Sequence, residues 1–218
     1  MMRRAIIAGA TGLVGSNLLQ LLLHSIQYQE VIAVTRKEIA VQHPKLIQLI
    51  IDFDKLHEHA AAINGDVLFS CLGTTKTQAP DPEQYRKIEF KYTTLLADIA
   101  KNNGAQQLHY ISSIGADISS SNFYLKLKGE TESALAHLGL KSTHIYQPSV
   151  IKGGRKQSRP MEMFVIGLMK MVDPILIGSL KKYRSITAQT VAQAMFQQSL
   201  STEAGLFIHP SDHIQNLA

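Results

Sequence analysis

Cysteine is almost missing from this chain: Cys71 stands alone among 218 residues, so no disulfide forms within it. That excludes the stapled frameworks of small secreted proteins and suits a reducing compartment. No apolar run approaches the roughly 18 residues that a membrane-spanning helix needs, so no membrane span is expected. Met1 leads straight into a strand-like segment, which leaves no room for a signal peptide, and a cytoplasmic protein is expected. No G-x-S-x-G elbow occurs, which speaks against a serine hydrolase. Metal-ligand spacing is absent as well. Among the nine histidines, His57 and His59 are two apart, and His209 and His213 lie around Pro210 in a C-terminus that reads as irregular. These are expected to be solvated surface residues, with no metal bound.

Charge of either sign is modest at 18%, against 45% hydrophobic residues, the balance of an ordinary globular protein. The net charge of +5 comes from scattered cations, with small groups only at Arg155–Arg159 and Lys181–Arg184. No nucleic-acid motif accompanies them, so no dedicated nucleic-acid site is expected. The surplus equally suits an anionic cofactor. The length allows one large domain with a real core.

What the chain does contain is a regular alternation of short apolar runs and amphipathic stretches. Strands are expected at Arg4–Ala8, Val31–Val34, Leu46–Ile51, Val67–Ser70, Leu108–Ile111 and Thr143–Tyr146. Helices are expected at Leu13–His24, Asp54–Ile63, Pro82–Asn102 and Asn122–Leu138, with Gly104 and Gly139 as stops for the last two. This is the pattern of an α/β protein: a doubly wound, mainly parallel Rossmann sheet with helices on both faces. Beyond Tyr146 the rhythm loosens into a Gly153–Ser158 loop and a methionine-rich helix at Met161–Met171. A helix at Ala188–Gln198 and a short strand at Leu206–His209 follow. The whole chain, 1–218, reads as a single domain in which roughly 150–218 forms a small substrate-side cap. Met161, Met163, Phe164, Leu168, Met169 and Met171 pack a core, line a pocket or face a partner.

The most informative segment is Ala5-Ile6-Ile7-Ala8-Gly9-Ala10-Thr11-Gly12-Leu13-Val14-Gly15, a G-x-x-G-x-x-G set between strand and helix. Gly9 permits the tight turn, Gly12 lets backbone approach a pyrophosphate, and Gly15 lets the helix pack against the strand. The turn at Thr11 and the first helical amides, at Leu13 and Val14, then favour an anion. Strand two ends Val34-Thr35-Arg36-Lys37, with two cations where NAD binders usually carry an acid. Arg36, unless it is only surface charge, forks onto a 2′-phosphate, and Lys37 stands beside it; NADP (NADPH) is therefore the expected cofactor. Asp52 and Phe53 either flank the adenine or serve their loop alone. Strand four ends Cys71-Leu72-Gly73-Thr74, beyond the carboxyl edge where such folds bind ligands. Cys71 reads there as a small buried residue rather than a nucleophile.

Strand five runs into Ser112-Ser113, and Tyr124 and Lys128 follow four apart on one helix face. This trio suits carbonyl reduction or alcohol oxidation. Tyrosine exchanges a proton with the substrate oxygen, and the nearby ammonium favours tyrosinate. Lysine also reaches the nicotinamide ribose, and serine steadies the oxygen. Ser113 is preferred to Ser112 for that place.

With these residues assembled, the chain resembles the short-chain dehydrogenase/reductase superfamily in its extended or atypical branch. The Gly9–Gly15 motif, Ser113 and Tyr124-x-x-x-Lys128 carry the match. Cys71–Thr75, Gly115–Asp117, Ser121–Phe123, Lys128–Glu130 and Ser158–Pro160 narrow it to the Tat-interacting-protein-like oxidoreductases. The resemblance implies a Rossmann fold, NADP(H), and a Ser/Tyr/Lys centre at Ser113, Tyr124 and Lys128. It also places Pro148, Ser149 and Val150 beside the nicotinamide, although Gln147 replaces an expected arginine. The expected activity is an NADP-dependent oxidoreductase acting on a small, fairly apolar carbonyl or alcohol. A non-catalytic NADP(H) sensor and a nucleotide-sugar epimerase or dehydratase are the competing readings; the short cap offers the latter little surface.

Overall fold

The computed structural model describes residues 2–75, 77–153 and 173–218. In chain order its main elements are β1 (Arg3–Ala8), α1 (Leu13–His24), β2 (Tyr28–Thr35), β3 (Leu46–Ile50) and a 3-10 segment (Phe53–Ala62). Strand β4 (Val67–Ser70) is followed by α2 (Pro82–Arg86), a π-helical turn (Lys87–Lys91) and α3 (Tyr92–Asn102). Then come β5 (Gln107–Ile111), α4 (Phe123–His137), β6 (Ser142–Gln147) and β7 (Ile151–Lys152). Strand β8 (Ile186–Thr187), α5 (Ala188–Ser199), β9 (Gly205–Pro210) and α6 (Ser211–Leu217) complete the described order.

Seven strands form one sheet in the order β3-β2-β1-β4-β5-β6-β9, and every neighbouring pair is parallel. The order reverses between β1 and β4, and their carboxyl ends open the crevice where doubly wound folds bind ligands. Continuous apolar strands are a consequence of burial on both sides. Ala5 and Ile7 pack under α1 and α5, while Ile6 and Ala8 pack under the 3-10 segment and α3. Within the C-terminal third, β9 joins the main sheet, α5 packs on α1, and β7 pairs with β8.

Two local expectations change. Pro82–Asn102 is not a uniform α-helix, because one residue too many is accommodated in the π turn at Lys87–Lys91. The C-terminus is not irregular: β9 and α6 occupy it. The expected Met161–Met171 helix lies outside the described residues, as does the loop from 154 to 158.

The histidines need the larger correction. His109, His144 and His209 are buried, not solvated. They occupy β5, β6 and β9 on the face covered by α1, α5 and α6, and their rings stack at 4.6 Å and 5.2 Å between centroids. His109 Nδ1 meets the Tyr146 hydroxyl at 3.0 Å, and His144 bridges Ser142 and His209 at 3.0 Å each. Parallel strand register puts His109 directly beside His144. Burial therefore holds all three imidazoles neutral. It pushes His144 down to about 4 and His209 to about 3, and holds His109 well below its ordinary value.

Unfolded imidazoles take up protons below about pH 6.5, whereas these do not until far lower pH. The unfolded chain thus binds more protons, and stability falls as pH falls. Each group contributes at most about 1.4 kcal/mol per pH unit across that window. The urea midpoint is expected to be flat above pH 7 and to decline steeply from about pH 6.5 towards pH 4. A midpoint unchanged between pH 7 and pH 5 would contradict the buried, neutral assignment.

Candidate functional site

The turn between β1 and α1 is built by backbone contact. Gly9 has φ +80°, and a Cβ there would lie 2.3 Å from the Cys71 carbonyl oxygen. A Cβ on Gly15 would lie 2.2 Å from the Gly9 carbonyl oxygen. Only glycine lets β1, the end of β4 and the first turn of α1 come this close. Gly12 is different: its backbone is extended at φ −74°, and a Cβ would sit 3.1 Å from Gly9 O and otherwise face outward.

Helix α1 begins at Gly12 with no side-chain cap and no acid in its first turn. Its first amides are therefore offered to whatever lies in front of them. In front lies a cavity of about 290 Å³ lined by Gly9–Gly12, Val34–Arg36, Phe53, Cys71–Gly73, Gln78, Ile88 and Tyr92. A dinucleotide fits this donor set: uncapped amides for the pyrophosphate, an aromatic wall and an arginine at the end of β2.

Of the expected cofactor residues, Gly9, Thr11, Gly12, Arg36, Phe53, Cys71, Leu72 and Gly73 border that cavity. Arg36 is exposed and makes no ion pair among the described residues. Lys37 lies outside the lining, and its backbone carbonyl accepts the Thr35 hydroxyl at 2.8 Å. Asp52 caps the 3-10 segment through the Asp54 amide at 3.0 Å, while Phe53 packs against Tyr92 with centroids 5.4 Å apart. Leu13, Val14 and Gly15 stand behind the turn rather than on the wall. Cys71 is half-buried, and burial pushes its thiol up to about 12, which makes it a poor nucleophile. Ile88 and Tyr92 were not anticipated. They are four apart on one helix face, the spacing that could have indicated a shared wall.

The Ser/Tyr/Lys trio lies outside that lining, further along the carboxyl edge of the sheet. Helix α4 is aimed by Asn122, whose side chain caps the amides of Tyr124 and Leu125 at 2.9 Å and 3.2 Å. It lies against the loop after β5, where a Cβ on Gly129 would meet Asp117 and Ile118 backbone at 2.5 Å. The two serines part ways. Ser112 is buried and donates to Glu132, which also accepts two bonds from Gln147 at 2.9 Å and 3.0 Å. Ser113 is half-buried, and among the described residues its hydroxyl has only a long 3.4 Å contact to the Ile114 carbonyl. Gln147, standing where an arginine was expected, thus serves the packing beneath the site.

Tyr124 is half-buried and packs in a small cluster with Ala79, Tyr85 and Leu127. Lys128 is buried, with Tyr110 Oη at 3.1 Å, the Ile111 carbonyl at 3.0 Å and Glu89 Oε2 at 2.8 Å from its ammonium. Burial alone would lower its pKa; the Glu89 charge, with Tyr110 and Tyr124, overrides that and holds it well above the ordinary value. Pro148 accepts the Ile114 amide at 3.0 Å, which joins the ends of β5 and β6. Ser149 binds the Ser211 hydroxyl through its amide at 2.7 Å and donates its own hydroxyl to Arg184 O. Val150 accepts the Ile186 amide at 3.0 Å.

Residues 5–132 match the NAD dependent epimerase/dehydratase family. The chain is 32% identical over 203 residues to the protein HTATIP2 of Rattus norvegicus, covering 91% of this chain and 82% of that one. It is 36% identical over 157 residues to the mitochondrial protein FMP52 of Candida albicans, covering 70% of this chain and 69% of that one. A solved structure, MoeE5 in complex with UDP-glucose and NAD, superposes with a TM-score of 0.70 at 16% identity over 94% of this chain and 75% of that one. The similarity to HTATIP2 agrees with the Tat-interacting-protein-like resemblance. The cytoplasmic expectation does not stand: fungal relatives are named mitochondrial proteins. A lone thiol indicates the lack of an internal disulfide and does not choose between compartments.

The two kinds of glycine should separate by experiment. Gly12→Val places a side chain in the approach to α1 at a φ that valine tolerates, so NADPH binding is expected to be lost while the fold survives. Gly9→Ala meets both a positive φ and the Cys71 carbonyl, and should cost about 2–4 kcal/mol of stability. NADPH fluorescence titration and urea unfolding of both variants check this. A Gly12→Val protein that binds NADPH normally would remove the turn from the binding site.

Proposed function

The chain belongs to the NAD dependent epimerase/dehydratase family, and from that membership we propose that it is an NADP-dependent oxidoreductase. Its substrate is a small, fairly apolar carbonyl or alcohol, and Ser113, Tyr124 and Lys128 are its reaction centre. The observation that carries the reading is the placement of Arg36: exposed, free of ion pairs among the described residues, and on the wall of the cavity that Gly9 and Gly12 open. A guanidinium there matches a 2′-phosphate with two parallel bonds.

The uncapped amides of α1 and the strand ends at Cys71–Gly73 hold the dinucleotide, which supplies the hydride chemistry. Tyr124 exchanges the proton at the substrate oxygen, and Ser113, whose hydroxyl has no short partner among the described residues, orients that oxygen. Lys128 remains an ammonium one helical turn from Tyr124. Residues 173–218 lend β9 and α5 to the main layers. The aromatic surroundings of Tyr124, with Tyr85 and Phe123 in edge contact at 5.9 Å, support an apolar substrate.

A second reading, a non-catalytic NADP(H) sensor, is favoured by one observation. The Lys128 ammonium is already surrounded by three internal oxygen atoms, which leaves it less available to a ribose.

Two outcomes test the proposal. NADPH should bind roughly tenfold or more tightly than NADH at moderate salt, a difference that shrinks sharply in Arg36→Ala; equal affinities in the wild type would contradict it. Tyr124→Phe should leave NADPH affinity nearly unchanged and lower turnover about 10²–10⁴-fold against aldehydes, ketones and quinones, followed by NADPH absorbance. Activity surviving Tyr124→Phe would exclude that tyrosine. Tight NADPH binding without turnover on any carbonyl would favour the sensor.

A further inference from the structure

An acid in the middle of a packed helix is costly unless it has partners. Glu89 sits in Ile88-Glu89-Phe90, on the π turn between α2 and α3, and is 2% exposed. Its two carboxylate oxygens serve different parts of the molecule. Oε1 accepts the Thr74 amide at 2.6 Å, on the segment that continues from the β4 end. Oε2 faces the Lys128 ammonium at 2.8 Å, on α4. Thr74 is further held by its carbonyl, which accepts the Tyr85 hydroxyl at 3.3 Å. Gly73 approaches the same carboxylate: a Cβ there would stand 3.5 Å from Oε1.

We propose that Glu89 is the positioning residue of the Ser113–Tyr124–Lys128 centre, tying Lys128 to the Gly73–Thr74 strand end through one buried carboxylate. The inference rests on the reading of that centre as the reaction site. A buried ion pair gives little stability beyond what two packed apolar side chains would give, so its main consequence is where it fixes the ammonium. The π turn supports this. One extra residue shifts the helix face so that Glu89 turns inward between the strand end and α4, and such turns gather at functional sites. Gly73 lines the dinucleotide cavity. A ligand that moves this strand end moves the carboxylate, and the lysine with it. The carboxylate also balances the ammonium's charge. Tyr110 from β5, and Tyr85, Tyr124 and Glu132 from the flanking helices, are the other titratable groups that act on this cluster. With Glu89 neutral, the ammonium would face the tyrosines with less opposing charge.

The experiment uses the full chain with 13C-labelled lysine, the Lys128 ε-methylene signal being identified by its loss in Lys128→Met. In the cofactor-free wild type this signal should stay at its ammonium position while surface lysines titrate near their usual value of about 10.4. In Glu89→Gln its midpoint should drop by at least about two pH units, since the buried ammonium then loses its adjacent counter-ion. An unmoved midpoint would overturn the proposal. NADPH, with binding followed separately by its fluorescence, should shift the Lys128 signal in the wild type. In Glu89→Asp, whose shorter carboxylate cannot span both partners, Lys128 should stay charged but lose most of that shift. NADPH bound with no shift in the wild type, or a full shift in Glu89→Asp, would overturn the tie. If Glu89→Gln does not fold, the Glu89→Asp arm decides alone. Failure of NADPH to bind would count against the cofactor reading, and the lysine titration would still decide for or against Glu89.

Discussion

The structure depends on how closely backbone can approach backbone at the head of β1. Gly9 lies against the Cys71 carbonyl and Gly15 against Gly9, at distances where any Cβ would overlap a neighbour. That contact brings the carboxyl ends of β1 and β4 together at the point where strand order reverses. It also aims an uncapped helix start into the resulting crevice. The cavity, the arginine on its rim and the strand end at Gly73 are arranged around this single turn. Backbone amides that would be costly to leave unpaired in a core become useful where an anion supplies the missing charge.

The two halves of the proposed site are built in different ways. The dinucleotide side is mostly main chain, so sequence enters it chiefly through glycine, which permits the approach, and through Arg36. The Ser/Tyr/Lys side is made of side chains held by other side chains: Asn122 caps α4, Glu132 occupies Ser112, and Glu89 faces Lys128. The family assignment, from residues 5–132, spans both halves. Charge is distributed accordingly. Arg36, beside the cavity, is exposed and has no ion pair among the described residues, whereas Lys128 is buried and balanced by Glu89.

Where period and punctuation are local, the sequence was a good guide. Helix α1 and strand β4 lie where their apolar patterns put them, and the parallel sheet follows from runs buried on both faces. What it concealed was set by distant pairing. His109 lies inside a central strand of which neither face reaches water. That context outweighs the polarity of an imidazole and was the overlooked signal. Strand β9 matches the short strand expected at Leu206–His209, whereas helix α6, seven residues directly after Pro210, carries too short a pattern to show. The π turn changes a helix by one residue without altering its composition. Glu89 and Lys128 are far apart in sequence and meet because α4 packs on the π turn. No spacing rule links them.

Amide chemical-shift mapping of the full 15N-labelled chain titrated with NADPH tests the central claim most directly, because it reads the glycine turn and the reaction centre in one measurement and needs no substrate. The largest shifts should fall on Gly12–Gly15 at the start of α1, on Arg36, and on Gly73–Thr74, with smaller ones reaching Ser113 and Lys128. Saturable binding with shifts confined to other surfaces, leaving the start of α1 unmoved, would contradict the account.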